Sequence, residues 1–353
     1  CVGTPSLPSG QADLSQVHDV VKQIYVKTKK DAIIVMKSTV SPGTGLRLIN
    51  EIWKNHKNGA KIDYVSNPEF LREGQAINDW QKPDRIVIGA DNEGAAETVK
   101  SLYKNVQAPI LETDITSAEI IKYASNAFLT MKVSYINEIA NLCEVVGANI
   151  DDVSHGIGLD NRIGKSFLKA GIGWGGSCFP KDTRGLDFLS AQYGYDFHLL
   201  KASIRVNTNQ RLRVMHKLLD GLKSLPDKKI AILGLAFKPE TDDVRESISL
   251  DLISILLKEG AAVRAFDPIA VENAKKVLLT DTRLIYADTA YEAVKNCEAI
   301  VLATEWPALI DLDWQKVRDS MLAPFIIIDG RNCLNPQTMK GIGFHYEAIG
   351  RKI

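Results

Sequence analysis

The chain has 353 residues, long enough for two or three domains, and its 45% apolar and 24% charged content is that of a protein with an ample core. Lysine plus arginine (43) balance aspartate plus glutamate (43), so charge gives no argument for a nucleic-acid or membrane-surface partner. No apolar run approaches the roughly 18 residues that cross a bilayer.

Helical spacing of Leu14, Val17, Val20, Val21 and Ile24 predicts a helix over 13–29. The apolar run 32–36 reads as a buried parallel strand, followed by a turn and a helix from Pro42 to about Asn55. Strands are predicted at 62–65, 85–89 and 108–112, with a helix at 93–104. Alternating strands and helices make a mostly parallel, doubly wound sheet, whose ligands lie beyond the carboxyl ends of the strands. From Thr116 the pattern becomes helical, with helices at 117–146, 150–157, 182–193 and 199–224. A second α/β unit follows, with strands at 229–235, 263–266, 298–303 and 325–329 and helices at 246–259, 288–296 and 313–320. The expected domains are 1–113, an all-helical middle at 114–224 whose last helix is a long connector, and 225–353.

The most informative stretch is Gly-Ile-Gly-Trp-Gly-Gly-Ser-Cys-Phe-Pro-Lys-Asp-Thr at 171–183. Its glycines let backbone approach a ligand closely. Pro180 and Asp182 read as the opening of a helix. A thiol at a helix start beside a lysine suits the nucleophilic thiolate form; the alternative is a structural thiol in a tight turn. The five cysteines, Cys1, Cys143, Cys178, Cys297 and Cys333, form no CxxC pair and are odd in number, which suits a reducing, cytoplasmic setting. The six histidines are scattered, so no metal site is expected.

Other candidates are weaker singly. Lys122 and Asn126 share one helix face and read either as a solvated pair or as donors to an oxyanion. Glu69 and Glu73, at a strand end, read as helix-start carboxylates or as a base. Thr39 reads as a cap or as a hydroxyl ordering water. The loop 234–247 lacks a G-x-G-x-x-G pattern, while Lys238 and Arg245 offer positive charge to a phosphate. Arg331 follows a strand end. Leu199, Leu200, Ile204, Val214, Leu218, Leu219 and Leu222 form an apolar stripe that predicts a homodimer.

Together these stretches resemble the nucleotide-sugar 6-dehydrogenases, and most closely their UDP-glucose branch. The matching segments are Val-Gly-Thr-Pro at 2–5, Lys-Ser-Thr-Val at 37–40, Asn-Pro-Glu-Phe-Leu-Arg-Glu-Gly at 67–74, Pro-Asp-Arg-Ile-Val-Ile-Gly at 83–89, Glu-x-x-Lys-Tyr-x-x-Asn-Ala at 119–127, Gly-Gly-Ser-Cys-Phe-Pro-Lys-Asp at 175–182, Gly-Leu-Ala-Phe-Lys at 234–238 and Asp-Asp-x-Arg-Glu-Ser at 242–247. They cover nearly the whole chain in the family's order.

The resemblance implies two Rossmann-like domains joined by the helical middle, and NAD-dependent oxidation of UDP-glucose at C6 through a Cys178 adduct. It gives Lys122 and Asn126 to the oxyanion, and Asp182, Thr39 and Glu69 to the hydrolytic water. Val2, Thr4, Thr39, Glu73 and Arg245 would touch the cofactor. Glu69, Phe70, Leu71, Lys122, Asn126, Arg162, Phe167, Lys169, Gly171, Gly175, Phe237, Lys238 and Arg331 would bind the substrate. The family's Gly-rich dinucleotide loop is not within these residues, which begin at Cys1. An incomplete N-terminal domain, with weak NAD binding and retained UDP-sugar binding, is therefore expected. GDP-mannose or UDP-N-acetylhexosamine oxidation and an inactive nucleotide-sugar-binding fragment are the other readings; Phe179 and Leu71-Arg72-Glu73-Gly74 favour UDP-glucose.

Overall fold

The structure, a computed structural model, describes residues 2–52 and 60–352. The helix expected to end near Asn55 begins at Thr44; its stretch beyond Ile52, like Cys1, lies outside the described residues. In chain order the first elements are α1 (Ser15–Lys27), β1 (Ala32–Met36), α2 (Thr44–Ile52), β2 (Ile62–Ser66), α3 (Ala76–Gln81), β3 (Ile86–Ala90), α4 (Glu93–Ser101) and β4 (Ile110–Thr113). The helical middle holds α5 (Ile115–Val146), α6 (Ile150–Gly158), α7 (Phe179–Gln192) and α8 (His198–Leu222). Then come β5 (Lys229–Leu233), α9 (Ile248–Lys258), β6 (Ala262–Phe266), α10 (Val271–Val277), β7 (Leu284–Tyr286), α11 (Ala290–Val294), β8 (Ala299–Leu302), α12 (Pro307–Ile310), α13 (Trp314–Ser320), β9 (Ile326–Asp329), α14 (Pro336–Ile342) and β10 (His345–Ala348).

The chain forms two compact units, Cys1–Phe128 with Lys181–Phe197, and Leu129–Pro180 with His198–Ile353. Helices α5 and α7 each supply residues to both.

In the first unit the sheet order is β1-β2-β3-β4. The pairs β1–β2 and β3–β4 are parallel, as the alternation predicts, but β2 and β3 meet antiparallel, through Val65–Ala90 and Ser66–Gly89. The only helix in the connection between them is the six-residue α3. Val17 and Val21 of α1, one helical turn apart, are buried with Ile34, Met36, Leu48 and Tyr64 in one cluster. Val65, Ile86, Ile88, Val99 and Tyr103 form another.

In the second unit six parallel strands run in the order β10-β9-β8-β5-β6-β7. β5 is central, and the chain builds outward first through β6 and β7, then through β8, β9 and β10. The carboxyl ends of β5 and β8 therefore flank the switch point where such sheets bind ligands. β8 and β9 are buried along their whole length, which explains their uninterrupted apolar runs. β7 (Leu-Ile-Tyr) is too short, at three residues, to show a period, and β10 (His-Tyr-Glu-Ala) mixes polar and apolar residues over only four, so neither stands out in the sequence. The stripe on α8 divides: Val214, Leu218 and Leu222 belong to this unit's own core and Leu200 is buried, whereas Leu199 and Leu219 remain exposed.

Candidate active site

In the first unit, functional side chains collect beyond the carboxyl ends of β1 and β2. The Ser38 hydroxyl accepts from the Val2 amide (2.9 Å) and donates to the Val2 carbonyl (2.8 Å); the Thr4 hydroxyl donates to the Thr39 carbonyl (2.9 Å). Lys122, on α5, is 4% exposed, and its ammonium lies 3.3 Å from Glu69 Oε1. That ammonium is also 5.3 Å from the centre of the Phe70 ring, over which the Arg85 guanidinium lies at 3.6 Å. One turn along α5, Asn126 donates to Asp182 Oδ2 (2.5 Å), and Lys181 donates to Asp182 Oδ1 (2.5 Å). Lys122, Asn126 and Asp182 are all buried, so the shared face of α5 is not a solvated one. Glu69 Oε2 accepts from the Leu71 amide (2.5 Å), which turns the carboxylate back onto its own loop. Glu73 is half-buried in the same segment.

Two residues here, each opening one of the matching segments, were given no role from the sequence. Lys37 donates to Asn67 Oδ1 (3.1 Å) and to the Tyr103 hydroxyl (3.3 Å). Burial pushes its ammonium down to about 8, against the pull of Glu69 and with the help of nearby Lys122. Asn67, 1% exposed, is fixed by donating to the Val87 carbonyl (2.7 Å). A lysine closing the apolar run 32–36 was the available signal.

In the second unit, a cavity of about 230 Å³ opens beyond the ends of β5, β8 and β9. Six expected residues meet there: Phe167, Lys169, Gly171, Gly175, Phe237 and Arg331. The Arg331 guanidinium donates to the carbonyls of Ala303 (2.6 Å), Gly173 (3.0 Å) and Phe237 (3.2 Å), so it clamps three segments as well as lining the wall. Glu305, missed in the sequence, joins them 3.5 Å from Arg331 and 3.9 Å from Lys169. Its position just after the apolar strand 299–302 was its signal.

Of the other residues expected to bind substrate, Glu69, Phe70, Leu71, Lys122 and Asn126 belong to the first unit, and Arg162 and Lys238 do not line the cavity; nor does Arg245, expected at the cofactor. The Arg162 side chain is 88% exposed and pairs with Asp160 (2.6 Å). Arg245, 65% exposed, pairs with Asp243 (2.8 Å), and the Lys238 ammonium stands 5.5 Å from the Phe237 ring centre. Long cationic side chains on loops settle on the nearest acid or ring unless packing directs them elsewhere.

The glycines of 171–176 serve a purpose the sequence reading assigned to ligand approach. A Cβ on Gly175 would stand 2.2 Å from the Glu246 carbonyl oxygen. At Gly173, whose φ is +114°, it would stand 2.5 Å from Asn207 Oδ1. These glycines let the loop press against its own protein.

Cys178 is exposed and directly precedes α7, whose first turn carries Asp182. Its sulfur lies 3.6 Å from the Ser177 hydroxyl. Cys143 and Cys297 are buried and Cys333 half-buried. Burial pushes all three thiols up, Cys297 to about 12. Among the described cysteines, Cys178 is thus the one that joins exposure to a helix start.

Three family models match the chain: the NAD binding domain (residues 1–107), the central domain (116–209) and the UDP binding domain (231–336) of one family. A UDP-glucose 6-dehydrogenase of Rickettsia conorii (strain ATCC VR-613 / Malish 7) is 47% identical over 356 residues, covering 100% of this chain and 81% of the relative. The chain belongs to the UDP-glucose/GDP-mannose dehydrogenase family. UDP-glucose 6-dehydrogenase YwqF of Bacillus subtilis (strain 168) is also 47% identical, over 99% of this chain and 79% of its own. Among solved structures, a UDP-glucose dehydrogenase from the hyperthermophilic archaeon Pyrobaculum islandicum shares 38% identity with a TM-score of 0.90, over 99% of this chain and 79% of that one.

The residues present fit the family's cofactor at one end. Short hydroxyl side chains and main-chain groups at the β1 end (Thr4, Ser38, Thr39, Val2) suit the amide and ribose hydroxyls of the nicotinamide riboside part of NAD. Among the described residues no helix is long and apolar enough to cross a membrane, and no acid, histidine or cysteine cluster could hold a metal ion.

Proposed function

We propose that the chain oxidises C6 of UDP-glucose twice, consuming two NAD and one water, to give UDP-glucuronate, two NADH and the released protons. The observation that carries this reading is Cys178, the exposed thiol at the start of the helix that bears the buried, hydrogen-bonded Asp182. UDP-glucose is favoured as substrate because the curated UDP-glucose 6-dehydrogenases are 42–47% identical over essentially the full chain, whereas a UDP-D-ManNAc dehydrogenase structure from Pyrococcus horikoshii is 28% identical.

NAD, when bound, accepts the hydride that leaves C6 in each oxidation. The first oxidation removes the hydroxyl proton and leaves an aldehyde. The Cys178 sulfur adds to it, forming a thiohemiacetal whose oxygen carries the developing charge. After the second oxidation the sulfur is held in a thioester, and water cleaves it to the carboxylate with return of the thiol. Covalent capture divides a hard oxidation into feasible steps and keeps the aldehyde on the protein. Lys122 supplies positive charge and Asn126 an amide donor to the oxyanion. Asp182, Glu69 and Thr39 hold and activate the water. Val2, Thr4, Thr39 and Glu73 contact the cofactor. Phe167, Lys169, Gly171, Gly175, Phe237 and Arg331 hold the nucleotide; Phe70 and Leu71 flank the sugar. Arg162, Lys238 and Arg245 have secondary roles, consistent with their positions outside the cavity wall.

The domain limits proposed are 1–113, 114–224 and 225–353. A homodimer is proposed on the exposed apolar side chains of the middle, Tyr135, Leu142 and Val145 on α5 and Leu199 and Leu219 on α8. A cytoplasmic setting follows from a nucleophilic thiol working with a nicotinamide cofactor. The test is Cys178→Ala, read by NADH formed per UDP-glucose and by intact-protein mass. The wild type should yield two NADH and, when quenched, a sugar-nucleotide adduct; the variant should form neither the adduct nor UDP-glucuronate. Full turnover by the variant with two NADH per sugar would sink the thioester route.

A further inference from the structure

The loop 171–176 has no regular secondary structure, yet buried amide side chains hold its main chain. On α8, Asn207 accepts from the Trp174 amide (2.8 Å) and donates to the Trp174 carbonyl (2.9 Å). Gln210 donates to the Gly171 carbonyl (2.9 Å) and accepts from Asn141 (3.1 Å). On α5, Asn137 accepts from the Gly171 amide (2.8 Å). A buried amide is costly unless its groups are paired. Asn207 and Gln210 meet that condition at both ends. Asn137 does not: it is 0% exposed, and its Nδ2 has no hydrogen-bond partner among the described residues.

The orientation of Asn137 is not open to choice. The Gly171 amide can only donate, so the atom facing it must be the oxygen, and the two N–H groups must point elsewhere. Asn137 forms part of the cavity wall, beside Val133 and Trp174. Asn141, whose Oδ1 is also buried without a partner, does not line the cavity. A fixed donor in a cavity wall, left unpaired while Asn207 and Gln210, which hold the same loop, are paired at both ends, is a group waiting for a ligand acceptor.

We propose that Asn137 is a specificity-determining residue whose amide N–H donates to an uncharged oxygen of the uridine moiety, a base carbonyl or a ribose hydroxyl. The inference rests on the cavity binding the nucleotide half of the substrate. Uridine is the better match than the diphosphate because Asn137 is neutral and sits among Val133 and Trp174, whereas Lys169 and Arg331 supply the charge that suits phosphates. Gly171 is the anchor that fixes the donor, so the loop takes part in nucleotide recognition as well as leading to Cys178.

Asn137→Asp isolates the donor: one carboxylate oxygen still accepts from Gly171, and the N–H groups are gone. Asn137→Ala introduces no charge and covers the case in which the aspartate variant does not fold. Binding of UDP, UMP and uridine is measured by calorimetry, with uridine read by competition, alongside the thermal midpoint and the alkylation rate of Cys178. The expected result is at least a roughly tenfold loss of affinity in both variants, by a similar factor for all three ligands. The alkylation rate of Cys178 should stay close to wild type in both variants, and the thermal midpoint of Asn137→Asp should fall, as a carboxylate at a buried position costs stability, while remaining high enough for a folded protein at the temperature of the binding assay. Unchanged UDP affinity in the variants, with wild type binding UDP, overturns the role of Asn137 and leaves the cavity reading standing. A loss confined to UDP and UMP, with uridine unaffected, overturns the uridine assignment. Failure of the wild-type chain to bind UDP overturns the cavity reading, and the proposal with it.

Discussion

Gly175→Ala is the substitution whose consequence follows most directly from the packing. The added Cβ would stand 2.2 Å from the Glu246 carbonyl oxygen, while real Cβ atoms essentially never come within 3.0 Å of another heavy atom. The obstacle is backbone, at a residue held with φ of +52°, so it cannot swing aside as a side-chain tip would. Either the loop 171–176 or the 237–246 segment must retreat by about 1 Å, a shift that typically costs about a hundredfold in rate when it misplaces reacting groups. Overpacking of this kind also costs about 1–3 kcal/mol of stability. Gly175 is three residues before Cys178 and lines the cavity, so both kcat and UDP affinity should fall. The assay is NADH formation at saturating UDP-glucose, with calorimetry for UDP and a thermal midpoint. Gly156→Ala in α6 is the control: nothing lies within 4 Å of its Cβ position, and alanine favours a helix. A Gly175→Ala protein with kcat and UDP affinity within threefold of wild type would refute the reasoning.

Lys122→Met should lower kcat by about a hundredfold to a thousandfold, because removing one donor to a developing oxyanion costs about 2.7–4 kcal/mol; a fall under tenfold at saturating substrates would contradict its role. The Lys37 ammonium, pushed down to about 8 from 10.5, should lose its proton as pH rises through 8, and with it a charge beside Glu69, so kcat/KM should fall above that pH. Because the fold disfavours the charged form, the stability cost of Lys37 is fully present below pH 8 and relieved between 8 and 10.5. Lys37→Met should therefore gain more in thermal midpoint at pH 7 than at pH 10, and the opposite ordering would show that burial is not the cause. Leu218→Ala, at a fully buried position of α8, should cost about 2.7–5 kcal/mol in urea unfolding; a cost under 1 kcal/mol would mean the site collapses around the cavity.

The alternation of strands and helices, the long helix α5 and the helix start after Cys178 were legible in the residue order alone. Each is written in residues that are neighbours along the chain: period, apolar runs, and the glycines and proline of 171–183. The residue types at the reacting centre were legible for the same reason, since Gly-Gly-Ser-Cys-Phe-Pro-Lys-Asp is one continuous segment. Packing in three dimensions set the antiparallel meeting of β2 and β3, the central place of β5, and the clamping of three carbonyls by Arg331 while Arg162 and Arg245 pair with nearby aspartates. It also selected Lys37, Glu305 and Asn137, which local pattern does not distinguish from ordinary polar residues. A side chain's burial, its partners and any hydrogen-bonding group left over are set by segments far away in sequence, and those become neighbours only when the chain is packed.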